Sequence, residues 1–123
     1  MGAEPVHFDI PADDPGRLAD FYTKVLGWTI DAPQDEYDGY RMIRTSDREG
    51  SVGGGMYKKM APEQAGINYY GVDSIEETVL KVKENGGQVI MEKMTVPGMG
   101  YFAVLLDPEG NPFGLWIEDE NAA

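Results

Sequence analysis

Apolar and polar residues alternate strictly through Val6, His7, Phe8, Asp9 and Ile10, the period of a half-buried strand. From residue 14 the period lengthens, and Leu18, Phe21, Tyr22 and Val25 recur at helical spacing. Asp14 predicts the N-cap of that helix, Pro15 its first position and Gly27 its end. Three strand-like runs follow, "WTIDA", "GYRMIRT" and "SVGGGMYKK". The order then starts again. A strand at "INYYGV" leads to a capping box at Ser74 and Glu77, and Ile75, Val79 and Val82 form the next helical stripe. Gly86 and Gly87 end it, and "QVIMEKM", "YFAVLLD" and "PFGLWIE" complete the series, the last two joined by the turn-rich "DPEGNP".

A shift of 60 residues lays Asp13 on Asp73, Ala19 on Val79, Gly27 on Gly87 and Ile30 on Ile90. It also lays Gly50 on Gly110 and Gly54 on Gly114. Two amphipathic helices can resemble each other by chance, but glycines outside the helices keep the same offset. The chain therefore reads as a duplicated βαβββ unit of α+β class. Residues 1–123 form one domain, with a first module at about 5–59 and a second at about 66–119. Two copies are too few for a solenoid.

Composition narrows the chemistry. Ten basic and 22 acidic residues leave a net charge of -12, which disfavours nucleic acid and anionic lipid as partners. The acidic runs "DAPQDEYD" and "WIEDE" read as solvated surface. With no cysteine, disulfides, thiol catalysis and cysteine metal sites are excluded. No segment approaches the ~20 apolar residues of a membrane helix, and no apolar signal region opens the chain. "MGAEPV" has Val6 where a myristoylation motif wants Ser or Thr. A soluble, cytoplasmic protein is expected.

"HFDIPADDPGRLADFYTKVLGW", "GVDSIEETVLKVKENGG" and "PGMGYFAVLLDPEGNPFGLW" together resemble the vicinal-oxygen-chelate superfamily over nearly the whole chain. That superfamily includes glyoxalase I, extradiol dioxygenases, and bleomycin- and fosfomycin-resistance proteins. The resemblance implies eight strands curled into a half-open cup with helices packed outside, and a homodimer with modules paired within a chain or swapped between two. It specifies a fold rather than a reaction, since this fold hosts unrelated chemistries. It also implies a divalent metal held at four positions, two on first strands and two on last strands. Here these positions fall on His7 and Ile67, and on Gly54 and Gly114, where metal-binding members use a carboxylate. One of the four has a donor atom, so no metal or other cofactor is expected. A slip of one residue brings in Asn68 or Trp116 without restoring the set. Asp9 or Glu118 stands as an unusual ligand for an atypical site.

Alternation then places His7 and Asp9 on the cup face and Val6, Phe8 and Ile10 against the first helix. By the repeat, Ile67 and Tyr69 face the cup while Tyr70 turns toward the second helix. Gly114, Trp116 and Glu118 share the cup-facing parity, and Phe113, Leu115 and Ile117 the core side. The candidate ligand-binding residues are therefore His7, Asp9, Tyr69, Gly114, Trp116 and Glu118. The candidate catalytic pair is His7 as base with Asp9 orienting its ring, Tyr69 being the other possible partner. The plain alternatives are that His7 hydrogen-bonds Asp9 or a tyrosine hydroxyl as a structural remnant, that Asp9 is a solvated rim residue, and that Tyr69 and Trp116 pack the wall.

Tyr40 and Tyr101, each after a glycine, read as strand-start packing or rim. Met42, Met56, Met60, Met91, Met94 and Met99 read as core fillers ahead of cleft lining. "TVPGMGY" reads as a loop over the cup mouth. "SVGGGMY" lacks the Lys-Ser/Thr of a phosphate loop, and no nucleophilic triad can be assembled. The expected function is a glyoxalase-like, metal-free protein binding a small molecule. A lyase or isomerase using His7 as base or in an atypical metal site is the alternative, and an antibiotic-sequestering resistance protein a third.

Overall fold

The computed structural model describes residues 2–123, so Met1 of the "MGAEPV" stretch lies outside the described residues. The chain runs β1 (Pro5–Ala12), α1 (Pro15–Leu26), β2 (Thr29–Ile30), β3 (Arg41–Arg44), β4 (Gly53–Lys58), then β5 (Ile67–Gly71), α2 (Ile75–Glu84), β6 (Gln88–Val96), β7 (Gly100–Leu106) and β8 (Pro112–Glu118). This is the expected α+β plan, βαβββ twice over. It divides into two compact units, residues 7–67 and residues 68–123, the latter joined by the residues up to Val6. Among the described residues no helix is long and apolar enough to cross a membrane.

In the first unit the strand order is β2-β3-β4-β1, with β1 parallel to β4 and the other pairs antiparallel. Asp14 caps α1 by accepting from the Arg17 amide at 3.2 Å, and Gly27 closes the helix in the left-handed region at φ 72°. Ala12, Ala19, Ile43 and Met56 are buried together, with Phe8, Ile10, Leu18, Tyr22, Trp28 and Ile30 packed around them. The buried side of α1 is thus centred on Leu18, Ala19 and Tyr22. Phe21 and Val25, expected on that stripe, are 53% and 59% exposed. The helix is apolar over a wider arc than the short sheet beneath it can cover.

Val6 departs from expectation as well. It is partly exposed and groups with the second unit rather than packing on α1. The methionines also differ: Met56 is fully buried in the core, whereas Met60, Met91 and Met94 are exposed. Composition alone carries no information on which of several flexible apolar side chains a core has room for.

In the second unit the order is β5-β8-β7-β6, with β5 parallel to β8. Ile75 and Val79 of α2 are buried with Ala103, Leu105 and Leu115, and Val82, Phe113 and Ile117 pack against them. Ser74 accepts from the Glu77 amide at 3.1 Å, the N-cap half of the expected capping box. In "DPEGNP" the Asp107 carboxylate accepts from the Asn111 amide at 2.9 Å and its side chain at 3.0 Å, and from the Glu109 amide at 2.9 Å, which holds its pKa below the usual carboxylate range. The stretch "TVPGMGY" is not a loop. β6 runs on to Val96, the Met99 amide bonds the Val96 carbonyl at 2.9 Å, and Gly98 takes φ 75°, so a tight turn leads straight into β7.

Register corrects the alignment of the two modules. Gly54 pairs with Phe8 and, like Met56 two residues on, faces the core. Gly114 pairs with Tyr69, and its neighbour Leu115 is the core residue. The last strands therefore slip by one position, and Gly55 rather than Gly54 is the counterpart of Gly114.

Candidate functional site

Strand alternation aims Phe8 and Ile10 into the first core and leaves His7 and Asp9 on the opposite face of β1. Opposite them on β4 lie Gly53 and Gly55, which present no side chain. Tyr40 uses that space. The turn before β3 has Asp38 at φ 55° and Gly39 at φ 81°, which returns the chain so that Tyr40 bridges Gln34 and starts the strand. A Cβ added at Gly55 would meet the Tyr40 hydroxyl far inside contact distance. The phenol occupies the position that a side chain at residue 55 would need.

The result is a closed polar triangle. His7 Nε2 lies 2.7 Å from the Tyr40 hydroxyl and 3.0 Å from Asp9 Oδ1, and the Tyr40 hydroxyl donates to Asp9 Oδ1 at 2.7 Å. The His7 and Asp9 side chains are 27% and 11% exposed. The Tyr40 ring lies within 14° of parallel to the imidazole and within 12° of parallel to Tyr57, at centroid distances of 6.4 and 6.2 Å. Gln64 in turn donates to the Tyr57 hydroxyl at 3.0 Å. Burial, and secondarily the negative charge of Asp9, push the Tyr57 phenol up to about 12.

A test of this surrounding follows. The folded-state value lies above the ordinary phenol value, so the neutral form is favoured by folding. This contribution is fully present below pH ~10 and is lost as pH rises from there toward about 12. In an ultraviolet titration, a phenol ionising near pH 12 should be lost in Tyr57→Phe. Asp9→Asn should lower it only modestly, since burial is the larger cause.

The site residues called from sequence fall in both units. His7 and Asp9 meet in the first. Tyr40, expected as packing or rim, is a direct partner of both and joins the candidate ligand-binding residues, with Tyr57 and Gln64 beside it. Its signals were the "DG" turn before it and the run of glycines on the neighbouring strand. Tyr69, Gly114, Trp116 and Glu118 belong to the second unit. Tyr69 is buried, lies edge-on to Phe102 and fills the space over Gly114. Trp116 and Glu118 line a depression of ≈ 610 Å³ with Gly98, Met99, Asp119 and Glu120. Tyr101 packs beside the second core with the Lys93 ammonium 4.4 Å from its ring centroid, in keeping with a packing role.

The hydrogen-bond partners of the His7 ring in the first unit include a carboxylate, Asp9, and a phenol, Tyr40. Among the described residues no three His, Cys, Asp or Glu side chains are placed to hold a metal ion together. His7 Nε2 is engaged by a phenol and a carboxylate, and Gly55 offers space already filled by that phenol. A first-row ion needs three or four protein donors for tight binding.

Comparison with known proteins gives a consistent picture. The family described as Glyoxalase/Bleomycin resistance protein/Dioxygenase superfamily matches residues 5–115. The anthracycline biosynthesis protein DnrV of Streptomyces peucetius is 30% identical over 126 residues, covering 91% of this chain and 46% of that protein. The putative glyoxylase CFP32 of Mycobacterium tuberculosis is 34% identical over 110 residues, covering 87% of this chain and 41% of its own length. The chain thus spans less than half the length of these two relatives. Among solved structures, the hypothetical protein BH1468 from Bacillus halodurans aligns with a TM-score of 0.69 at 21% identity, over 100% of this chain and 99% of that one. Methylmalonyl-CoA epimerase from Mycobacterium tuberculosis aligns at 0.66 and 11% identity, over 96% and 88%. At such identities the structures show a shared fold.

Proposed function

We infer that this chain, which belongs to the Glyoxalase/Bleomycin resistance protein/Dioxygenase superfamily, is a glyoxalase-like protein that binds a small organic molecule without a resident metal. The observation that carries this reading is the His7–Asp9–Tyr40 triangle: three polar groups on the face of β1 and β4 turned away from the core, paired with one another rather than arranged as metal ligands. Parallel aromatic rings beside it give a flat ligand an apolar surface, and the triangle supplies polar handles. The name of the DnrV relative adds anthracyclines to the compounds worth offering. We further place the protein in the cytoplasm as a homodimer, with Tyr69, Gly114, Trp116 and Glu118 contributing to ligand binding. Sequestration of an antibiotic would differ from this reading only in the ligand.

A lyase or isomerase with His7 as base is the second reading. The Asp9 carboxylate 3.0 Å from the imidazole favours it, because that contact fixes the orientation of the ring, as a general base requires.

One experiment separates these. A panel of metabolites and antibiotics, anthracyclines included, is screened by calorimetry, and each binder is offered to His7→Ala. Binding should weaken about tenfold or more, the equivalent of ~1.4 kcal/mol or above, with an unchanged circular dichroism spectrum. Equal affinity in the variant would remove His7 from the site. Turnover of a bound compound, lost in His7→Ala, would establish the enzymatic reading instead.

A further inference from the structure

Alternation along β8 turns Phe113, Leu115 and Ile117 to the core of the second unit and Trp116 and Glu118 to the other face. Opposite them on β7 lie Phe102 and Gly100. A Cβ added at Gly100 would come within 2.7 and 2.9 Å of Cζ2 and Cη2 of Trp116. The missing side chain therefore makes room for the indole across the strand from Glu118. Beyond β8 the chain is tied to the turn between β6 and β7. The Asp119 amide donates to the Met99 carbonyl at 2.8 Å, and the Gly98 amide to the Ala122 carbonyl at 3.0 Å. These bonds hold the wall that carries Asp119 and Glu120. An indole, a thioether and three carboxylates thus share the ≈ 610 Å³ depression, the size of a small-molecule site.

The lining has no Lys, Arg or His, and among the described residues no cation pairs with Glu118, Asp119 or Glu120. Nor are these carboxylates placed to hold a metal ion together. Negative charge around apolar and aromatic surface suits a weakly hydrated positive group that brings a body to bury. We propose that this depression binds an organic cation, an ammonium or guanidinium group on an apolar body, the charge held among the carboxylates and the body against Trp116 and Met99. The proposal rests on the reading above that Trp116 and Glu118 contact the ligand, and it names the ligand's class.

Benzyltrimethylammonium and the neutral benzyl alcohol test it, read at the indole N–H signals in ¹H–¹⁵N spectra. The chain has two tryptophans. Trp116→Phe assigns one signal, and Trp28, packed with Phe8 and Tyr22, is the internal reference. The Trp116 signal should shift saturably with the ammonium, half-complete at roughly 10 mM or below. Benzyl alcohol should bind roughly fivefold or more weakly. Glu118→Gln combined with Glu120→Gln should weaken the ammonium about tenfold. Glu84→Gln with Glu109→Gln removes the same charge from exposed positions outside the depression and should leave binding within about twofold. Equal affinity for the two probes would overturn the proposal, as would the absence of a saturable shift. Equal weakening in both double variants would also overturn it, because attraction would then reflect only the net charge of -12. These titrations do not involve His7. Failure of His7→Ala to weaken ligand binding would remove His7 from the site and leave the cation result standing, so the two failures are distinguishable.

Discussion

Gly54→Ala should destabilise the protein by on the order of 3 kcal/mol, a fall in melting temperature of roughly 10 °C. A Cβ at residue 54 would overlap the backbone oxygen of Phe8 and lie 2.7 Å from two atoms of the Phe8 ring. The backbone contact cannot be relieved by a rotamer change. Either β1 and β4 part, at the expense of the parallel ladder between them, or Phe8 is driven deeper into a core where Met56 and Ile43 already leave no space. Thermal denaturation measures the shift, and a loss below about 1 kcal/mol would mean the strands are less tightly apposed than the register indicates.

The adjacent substitution should behave in the opposite way. Gly55→Ala first meets the far end of Tyr40, a side chain that can swing out, so the fold should survive with a loss of about 1–2 kcal/mol, most of it from the hydrogen bonds of the displaced hydroxyl. The site should not survive. Expelling the hydroxyl leaves Asp9 without its 2.7 Å donor and removes the 2.7 Å contact to His7, and affinity for any ligand of the triangle should fall about tenfold. The cost should depend on Tyr40: in a Tyr40→Leu background, Gly55→Ala should weaken binding no further, because the group it displaces is already gone. Additive losses in that double-mutant cycle would show that residue 55 acts on the ligand directly. Two neighbouring glycines, one facing the core and one facing the site, thus separate stability from binding.

Much of this was legible in the order of residue types. The N-caps at Asp14 and Ser74, the turn at "DPEGNP" and the division of β1 into a core face bearing Phe8 and Ile10 and an opposite face bearing His7 and Asp9 follow from short-range rules, and local backbone chemistry enforces them. Parity also placed Leu115 in the core and Trp116 opposite it. The repeat failed by one residue at the last strand, because parallel pairing sets register between segments dozens of residues apart, and glycine gives no hint of which face it occupies. Tyr40 was missed for a related reason. Its role depends on an empty space on another strand, and a space created by Gly55 is visible only once β3 and β4 are paired. Exposure of Phe21 and Val25 reflects the width of the sheet under α1, a tertiary quantity that helical periodicity does not contain.

The central claim is that the face bearing His7 receives an organic molecule and no structural or catalytic ion. It is tested most directly by preparing the protein without chelator or histidine tag, measuring its metal content, and titrating it with nickel, zinc, iron and manganese ions while following the ring signals of its one histidine. The account predicts less than stoichiometric metal, and ring signals that none of the four ions perturbs at micromolar concentration. Stoichiometric uptake of any of them with micromolar or tighter affinity, abolished in His7→Ala, would contradict it.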